Sequence, residues 1–232
     1  MSAKKIIFVT GTDTGVGKTL LTALLLHHLR QSPGRTLAMK PFCSGGRGDV
    51  RLLQSLQPGE ISDAEMNPFY FAQPIAPLVA REQKRKSIRL PDVIRRITAV
   101  QKKCDQLLIE GSGGLLVPLG PGYTVADLIV KLDCRVIVVA RNRLGTINHT
   151  LLTVQVLKAN GIKANSIAVV LMGARKPDVS SSTNERTILE LLRPIRVLSI
   201  PYMGVRPLSK ESVWENCDKS GNVVEKLAFL GA

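Results

Sequence analysis

Lys18 and Thr19 close the run Gly11-Thr12-Asp13-Thr14-Gly15-Val16-Gly17-Lys18-Thr19. Glycines at 15 and 17 let successive backbone N–H groups turn inward, and a helix opening at Lys18 or Thr19 points its positive end the same way. Polyanions bind in such a cradle. Its lysine reaches the β- and γ-phosphates of a nucleoside triphosphate, and its threonine hydroxyl holds magnesium. Gly15, Val16, Gly17, Lys18, Thr19 and Leu20 are therefore the expected nucleotide-binding residues. The strict pattern puts its first glycine at position 12, where this chain has Thr12 and carries Gly11 one residue early.

Further polar residues follow apolar runs. Lys40 ends the run from Thr36 and precedes Pro41-Phe42-Cys43-Ser44-Gly45-Gly46, which sets an amine and a hydroxyl beside the phosphate loop. Glu110 ends Leu107-Leu108-Ile109-Glu110 and precedes Gly111-Ser112-Gly113-Gly114, the placement of a carboxylate that holds magnesium opposite Thr19. Asp49 is close enough in sequence to reach the same ion. Cys43 reads as a small half-buried filler, not a nucleophile.

The elements that must position these residues are short β-rich runs alternating with helical patterns. Strands are expected at Ile6–Thr10, Thr36–Lys40, Leu107–Glu110, Arg135–Ala140, Ile167–Met172 and Arg196–Ile200. Helices are expected at Thr19–Arg30, Leu90–Lys103, Val125–Leu132, Ile147–Ala159, Thr183–Leu192 and Val223–Leu230, with stop signals in Ser32-Pro33-Gly34 and Asn160-Gly161. Continuous apolar strands between helices predict an α/β fold: a mostly parallel sheet with helices on both faces, three layers in all, like P-loop NTPases. Right-handed crossovers then gather the loops that follow the strands along one sheet edge, where ligands bind. The pattern assigns no element to residues 205–222.

At 232 residues and 44% hydrophobic content, one domain over residues 1–232 is expected. No apolar run reaches the roughly 18–20 residues that span a bilayer, and Cys43, Cys104, Cys134 and Cys217 show no CxxC spacing. A cytoplasmic protein with reduced thiols is the expectation, with no membrane association. The net charge of +14 invites a nucleic-acid reading, but aromatic residues are only 4% and the one dense basic cluster, Arg81 to Arg89, reads as a solvated connection before a helix.

The loop resembles that of the nitrogenase-iron-protein and partition-ATPase group. Taken together, FVTGTDTGVGKT (Phe8 to Thr19), KPFCSG (Lys40 to Gly45), Asp49, NPFYFAQPIAP (Asn67 to Pro77), EGSGGLLVPL (Glu110 to Leu119), LGTINHTLLT (Leu144 to Thr153) and IPYM (Ile200 to Met203) resemble the dethiobiotin synthetase family, in the family's order. The resemblance implies a homodimeric, magnesium-dependent ligase of biotin synthesis that uses ATP as co-substrate and joins CO2 to 7,8-diaminononanoate. It implies catalytic roles for Lys18 and Lys40, and nucleotide contacts from Asp49, Glu110, Gly111, Ser112, Gly113, Pro201, Tyr202 and Met203. Thr14, Ser44 and Asn148 would bind substrate, and Thr19, Asp49 and Glu110 would hold Mg2+. Asn148 and the Pro74 to Pro77 stretch are candidates for the partner's site, since the family's substrate lies near the subunit contact. His149 reads as packing; His27 and His28 read as a helix-dipole contact and a packed ring.

The chain departs from the family at Met172-Gly173, where many members have Asn-Asp and the Asn reads the adenine edge. A thioether cannot form those paired hydrogen bonds. Three outcomes stay open: Met172 packs flat on the purine, backbone near Pro201 and Tyr202 reads its edge, or several triphosphates are accepted. A partition-type ATPase that binds nucleic acid is the alternative class, but those proteins carry a lysine where this chain has Asp13. An amide-forming relative acting on a cobalamin precursor would need a glutaminase domain, for which the chain has no room.

Overall fold

The structure, a computed structural model, describes residues 6–83, 87–204 and 208–228. Strand β1 (Ile6–Gly11) runs through the phosphate loop into helix α1 (Lys18–Leu29), and β2 (Thr36–Met39) follows the turn at Gly34. A connecting region then holds β3 (Phe42–Ser44), α2 (Gly48–Ser55), α3 (Asp63–Met66), β4 (Phe69–Phe71) and α4 (Pro77–Gln83). Next come α5 (Leu90–Gln101), β5 (Gln106–Glu110), β6 (Pro118–Gly120), β7 (Tyr123–Thr124) and α6 (Val125–Leu132). The chain continues through β8 (Arg135–Arg141), α7 (Thr146–Ala159), β9 (Ile167–Met172), α8 (Asn184–Leu192) and β10 (Arg196–Ile200) to α9 (Lys210–Ala228).

Six strands form one parallel sheet in the order β10-β9-β8-β1-β5-β2. All six expected strands are present, and their side chains are almost wholly buried because helices cover both faces. The expected helices are present too, except that the last begins at Lys210 rather than Val223; its expected end, residues 229 and 230, lies outside the described residues. Of the basic cluster, residues 84–86 also lie outside them, while Arg89 is exposed and pairs with Asp92.

Helix α1 shows why α9 is needed. KTLLTALLLHHL has no polar stripe, and its leucines are buried all round. A helix that is apolar on every face must be covered on every face. The sheet covers one side, and α9 covers the other through Val213, Val224 and Leu227. His27, near the end of α1, meets Trp214 of α9 with ring centroids 6.4 Å apart.

The edge strand β2 is also capped. Its free main-chain edge at Ala38 is paired by the buried Gln57 amide: Ala38 N–H donates to Gln57 Oε1 (3.0 Å), and Gln57 Nε2 donates to Ala38 O (2.7 Å). One side chain thus imitates a neighbouring strand where an unpaired edge would otherwise be left.

Candidate active site

The loops after β1, β2 and β5 meet where the strand order reverses, the crevice used for ligands in open α/β sheets. They enclose a cavity of about 630 Å3 lined by Thr14, Gly15, Gly17, Lys18, Thr19, Leu20, Lys40, Ser44, Asp49, Glu110, Ser112 and Gly113, among others. Gly15 and Gly17 hold φ values of 69° and 107°, the left-handed conformations that close the loop. Lys18 Nζ donates to Asp13 O at 2.8 Å, across the loop it belongs to. Burial lowers the Lys18 ammonium to a pKa of about 8, against the pull of Glu110.

Glu110 is the centre of the polar cluster. Its side chain is 1% exposed, and its Oε1 accepts from Thr19 Oγ1 (2.7 Å) and from Lys40 Nζ (2.6 Å). Lys40 Nζ also pairs with Asp49, whose carboxylate is partly open to the cavity. Burial alone would lower the Lys40 pKa, but the two carboxylates and their hydrogen bonds leave it raised, so Lys40 stays an ammonium at neutral pH. The backbone that carries it is clamped from outside the strand: Asn67 Nδ2 donates to Lys40 O at 2.8 Å, and Lys40 N–H donates to Met66 O. Ser44 is held by the two-strand pairing of β3 with β4, braced by the Phe42–Phe69 stack.

Two buried oxygens on this cluster, Glu110 Oε2 and Ser44 Oγ, have no hydrogen-bond partner among the described residues. Such atoms are costly unless a ligand satisfies them. With Thr19 Oγ1 and Asp49, Glu110 presents hard oxygen donors of the kind that suits Mg2+ in the company of phosphates.

A second pocket of about 360 Å3 opens on the other side of the loop, lined by Val16, Met172, Pro201, Tyr202 and Met203 among others. Here the Met172 side chain packs on Gly17, where a Cβ would stand 2.9 Å from Met172 Cγ. Gly173 is just as constrained: its N–H donates to Ile200 O, and a side chain would meet Ile200 O and Tyr202 N at 2.9 Å. Asn216 of α9 donates to Met203 O (3.0 Å) and so fixes the third wall.

These positions bear on five expectations. Gly111 does not line the cavity; it is glycine because a Cβ would lie 2.8 Å from Phe8 Cε1. Pro74 to Pro77 line the chain's own cavity, brought there by the β3–β4 turn. His149 is exposed beside a small polar hollow with Asp13, Arg141 and Arg143, so it is not a packed ring. Cys43 is buried more completely than expected, and burial raises its thiol pKa. Asn148 is exposed and lines none of the pockets described, so within one chain it is not brought to the cavity.

A family model described as "AAA domain" matches residues 5–210. The ATP-dependent dethiobiotin synthetase BioD of Bacillus licheniformis is 37% identical over 206 residues, covering 86% of this chain and 84% of the relative. The chain belongs to the dethiobiotin synthetase family. The same synthetase from Thermodesulfovibrio yellowstonii is 34% identical over 93% of this chain and 95% of its own length. The protein is therefore an ATP-dependent ligase of biotin biosynthesis. Among solved structures, the MinC:MinD cell division complex of Aquifex aeolicus aligns with a TM-score of 0.59 at 11% identity, over 95% of this chain and 96% of that one. A ParA family ATPase from Chlorobium tepidum aligns at 0.55 and 14% identity, over 97% and 93%. At such identities the likeness shows the P-loop NTPase fold alone. Among the described residues of this synthetase, no helix is long and apolar enough to cross a membrane.

Proposed function

We propose that the synthetase converts 7,8-diaminononanoate, CO2 and ATP into dethiobiotin, ADP and phosphate in three steps, as one catalytic unit over the whole chain. One amine of the diamine attacks CO2 and loses a proton, giving a carbamate. A carbamate oxygen then attacks the γ-phosphorus and expels ADP, leaving a carbamic-phosphoric anhydride. The neighbouring amine attacks the carbonyl carbon, closes the ureido ring and expels phosphate.

The observation that carries this reading is Lys40 Nζ, held 2.6 Å from Glu110 Oε1 in the cavity that Lys18 and Thr19 also line. Chemistry of this kind needs positioning and neutralised charge more than a protein nucleophile. Lys40 and Lys18 stabilise the negative charge of carbamate and γ-phosphoryl group as the two approach. Thr14 and Ser44 orient the carbamate, and Ser44 Oγ, with no hydrogen-bond partner among the described residues, is available to do so. Thr19, Asp49 and Glu110 are the residues that would hold Mg2+, which would offset the negative charge of the phosphates there. The second pocket receives the base, between Met172 and the Pro201 to Met203 segment. Its thioether wall supports loose selection among nucleoside triphosphates. A homodimer brings the partner's Asn148 toward the substrate.

Incubation with diaminononanoate, bicarbonate, magnesium and ATP, followed by mass analysis, checks this directly. The cyclic urea is expected, with phosphate release that depends on the diamine. ATP-strengthened, salt-dependent DNA binding without diamine-dependent hydrolysis would replace it with the partition-type reading.

A further inference from the structure

Arg141, the last residue of β8, reaches across to the phosphate loop. Its Nε and Nη2 both donate to Gly15 O, at 3.1 and 2.9 Å. The approach is close: a Cβ on Gly15 would lie 3.0 Å from Arg141 Nη2. The C=O and N–H of one trans peptide point in opposite directions, so holding Gly15 O toward Arg141 aims the Val16 N–H away from it. The cation also polarises the peptide it binds, which strengthens the donor at its other end. Arg141 lines the polar hollow and the second pocket but not the 630 Å3 cavity. It therefore acts on that cavity through the loop.

We propose that Arg141 is a positioning residue for phosphate binding: its two-point hold on Gly15 O presets the Gly15–Val16 peptide for the polyphosphate of the nucleotide. Gly17, two residues on, is braced by Met172 in the same way but by packing. The loop is thus set from β8 and β9 before any phosphate arrives, and less ordering is left to be done on binding. This inference rests on the phosphate loop being the nucleotide site, and it assigns a role to a residue outside the set that contacts the reacting groups.

Titration calorimetry of the full chain with Mg-ADP and, separately, with Mg-tripolyphosphate tests it. In R141M both ligands are expected to bind about 10-fold more weakly, and by similar factors, as fits loss of a charge-assisted hydrogen bond. R141K keeps the charge without the fork, so about a 3-fold loss for both is expected. The KM for the diamine should not move in either variant. Weaker ADP binding with unchanged tripolyphosphate binding would overturn the proposal and assign Arg141 to base or ribose. R141K matching the wild type would reduce it to a bulk charge. Wild-type protein that binds neither ligand would sink the nucleotide-site reading itself, an outcome distinct from variants that match a binding wild type. If R141M melts below the assay temperature, R141K alone decides.

Discussion

Lys40 carries the heaviest demand of any single side chain, because it is both a buried counter-charge and a proposed catalytic cation. Lys40→Ala should lower dethiobiotin formation by on the order of 10²-fold or more, read by mass analysis of product. The same change leaves Glu110 buried without its cation, so melting temperature should fall as well. Lys18 offers a pH-dependent readout. With its pKa lowered to about 8 by burial, it is mostly charged at pH 7 and increasingly neutral above pH 8. Bound phosphates favour the charged form, so nucleotide binding should take up a proton, about half of one near pH 8, more at pH 9 and little at pH 6.5. Calorimetry in buffers of different ionisation enthalpy measures that uptake, and an uptake that falls as pH rises would contradict it. At Met172, turnover with GTP or CTP is expected within about 100-fold of that with ATP at subsaturating levels, since a thioether offers no hydrogen-bond discrimination.

Elements owe their positions to polar clamps as much as to apolar packing. Gln57 pairs both main-chain groups of Ala38 on the outer edge of β2, and β2 delivers Lys40. Gln57→Leu should therefore cost about 2–4 kcal/mol in urea unfolding, the sum of two buried groups left unsatisfied. Asn67 does the same for the Lys40 carbonyl, and Asn216 for that of Met203. In the sequence, Gln57 and Asn67 are single polar residues between Leu56, Pro58, Met66 and Pro68, and nothing local says which main-chain group they meet. The six central strands were legible because each is a β-rich apolar run. The pairs β3–β4 and β6–β7 were not, since strands of two or three residues leave no periodicity to read.

For the molecule as a whole, α9 completes the fold by covering α1 and holding the Pro201 to Met203 wall. Leu227→Ala on its buried face should destabilise the chain by about 2–4 kcal/mol and weaken nucleotide binding with it. The apolar run of α1 already requires a cover on its outer side, yet the cover itself, KESVWENCDKSGNVVEKLA, mixes charges and a glycine and so carries no clear helical pattern before Val223. What the sequence determined alone was the local part: a glycine loop that must curl, strands that must be buried on both faces, and the candidates Lys18 and Thr19 closing that loop, Lys40 and Glu110 at strand ends, and Asp49 close by in the chain. Those follow from short-range sterics and from hydrophobic periodicity, which neighbours in the chain carry between them. The tertiary structure alone decided that Lys40 Nζ lies between two carboxylates, that Gly111 answers to Phe8, and that Arg141 grips Gly15, 126 positions away. Such contacts depend on sheet order and register, which bring distant residues together through the packing of the whole chain and leave no mark on the neighbours of any one residue.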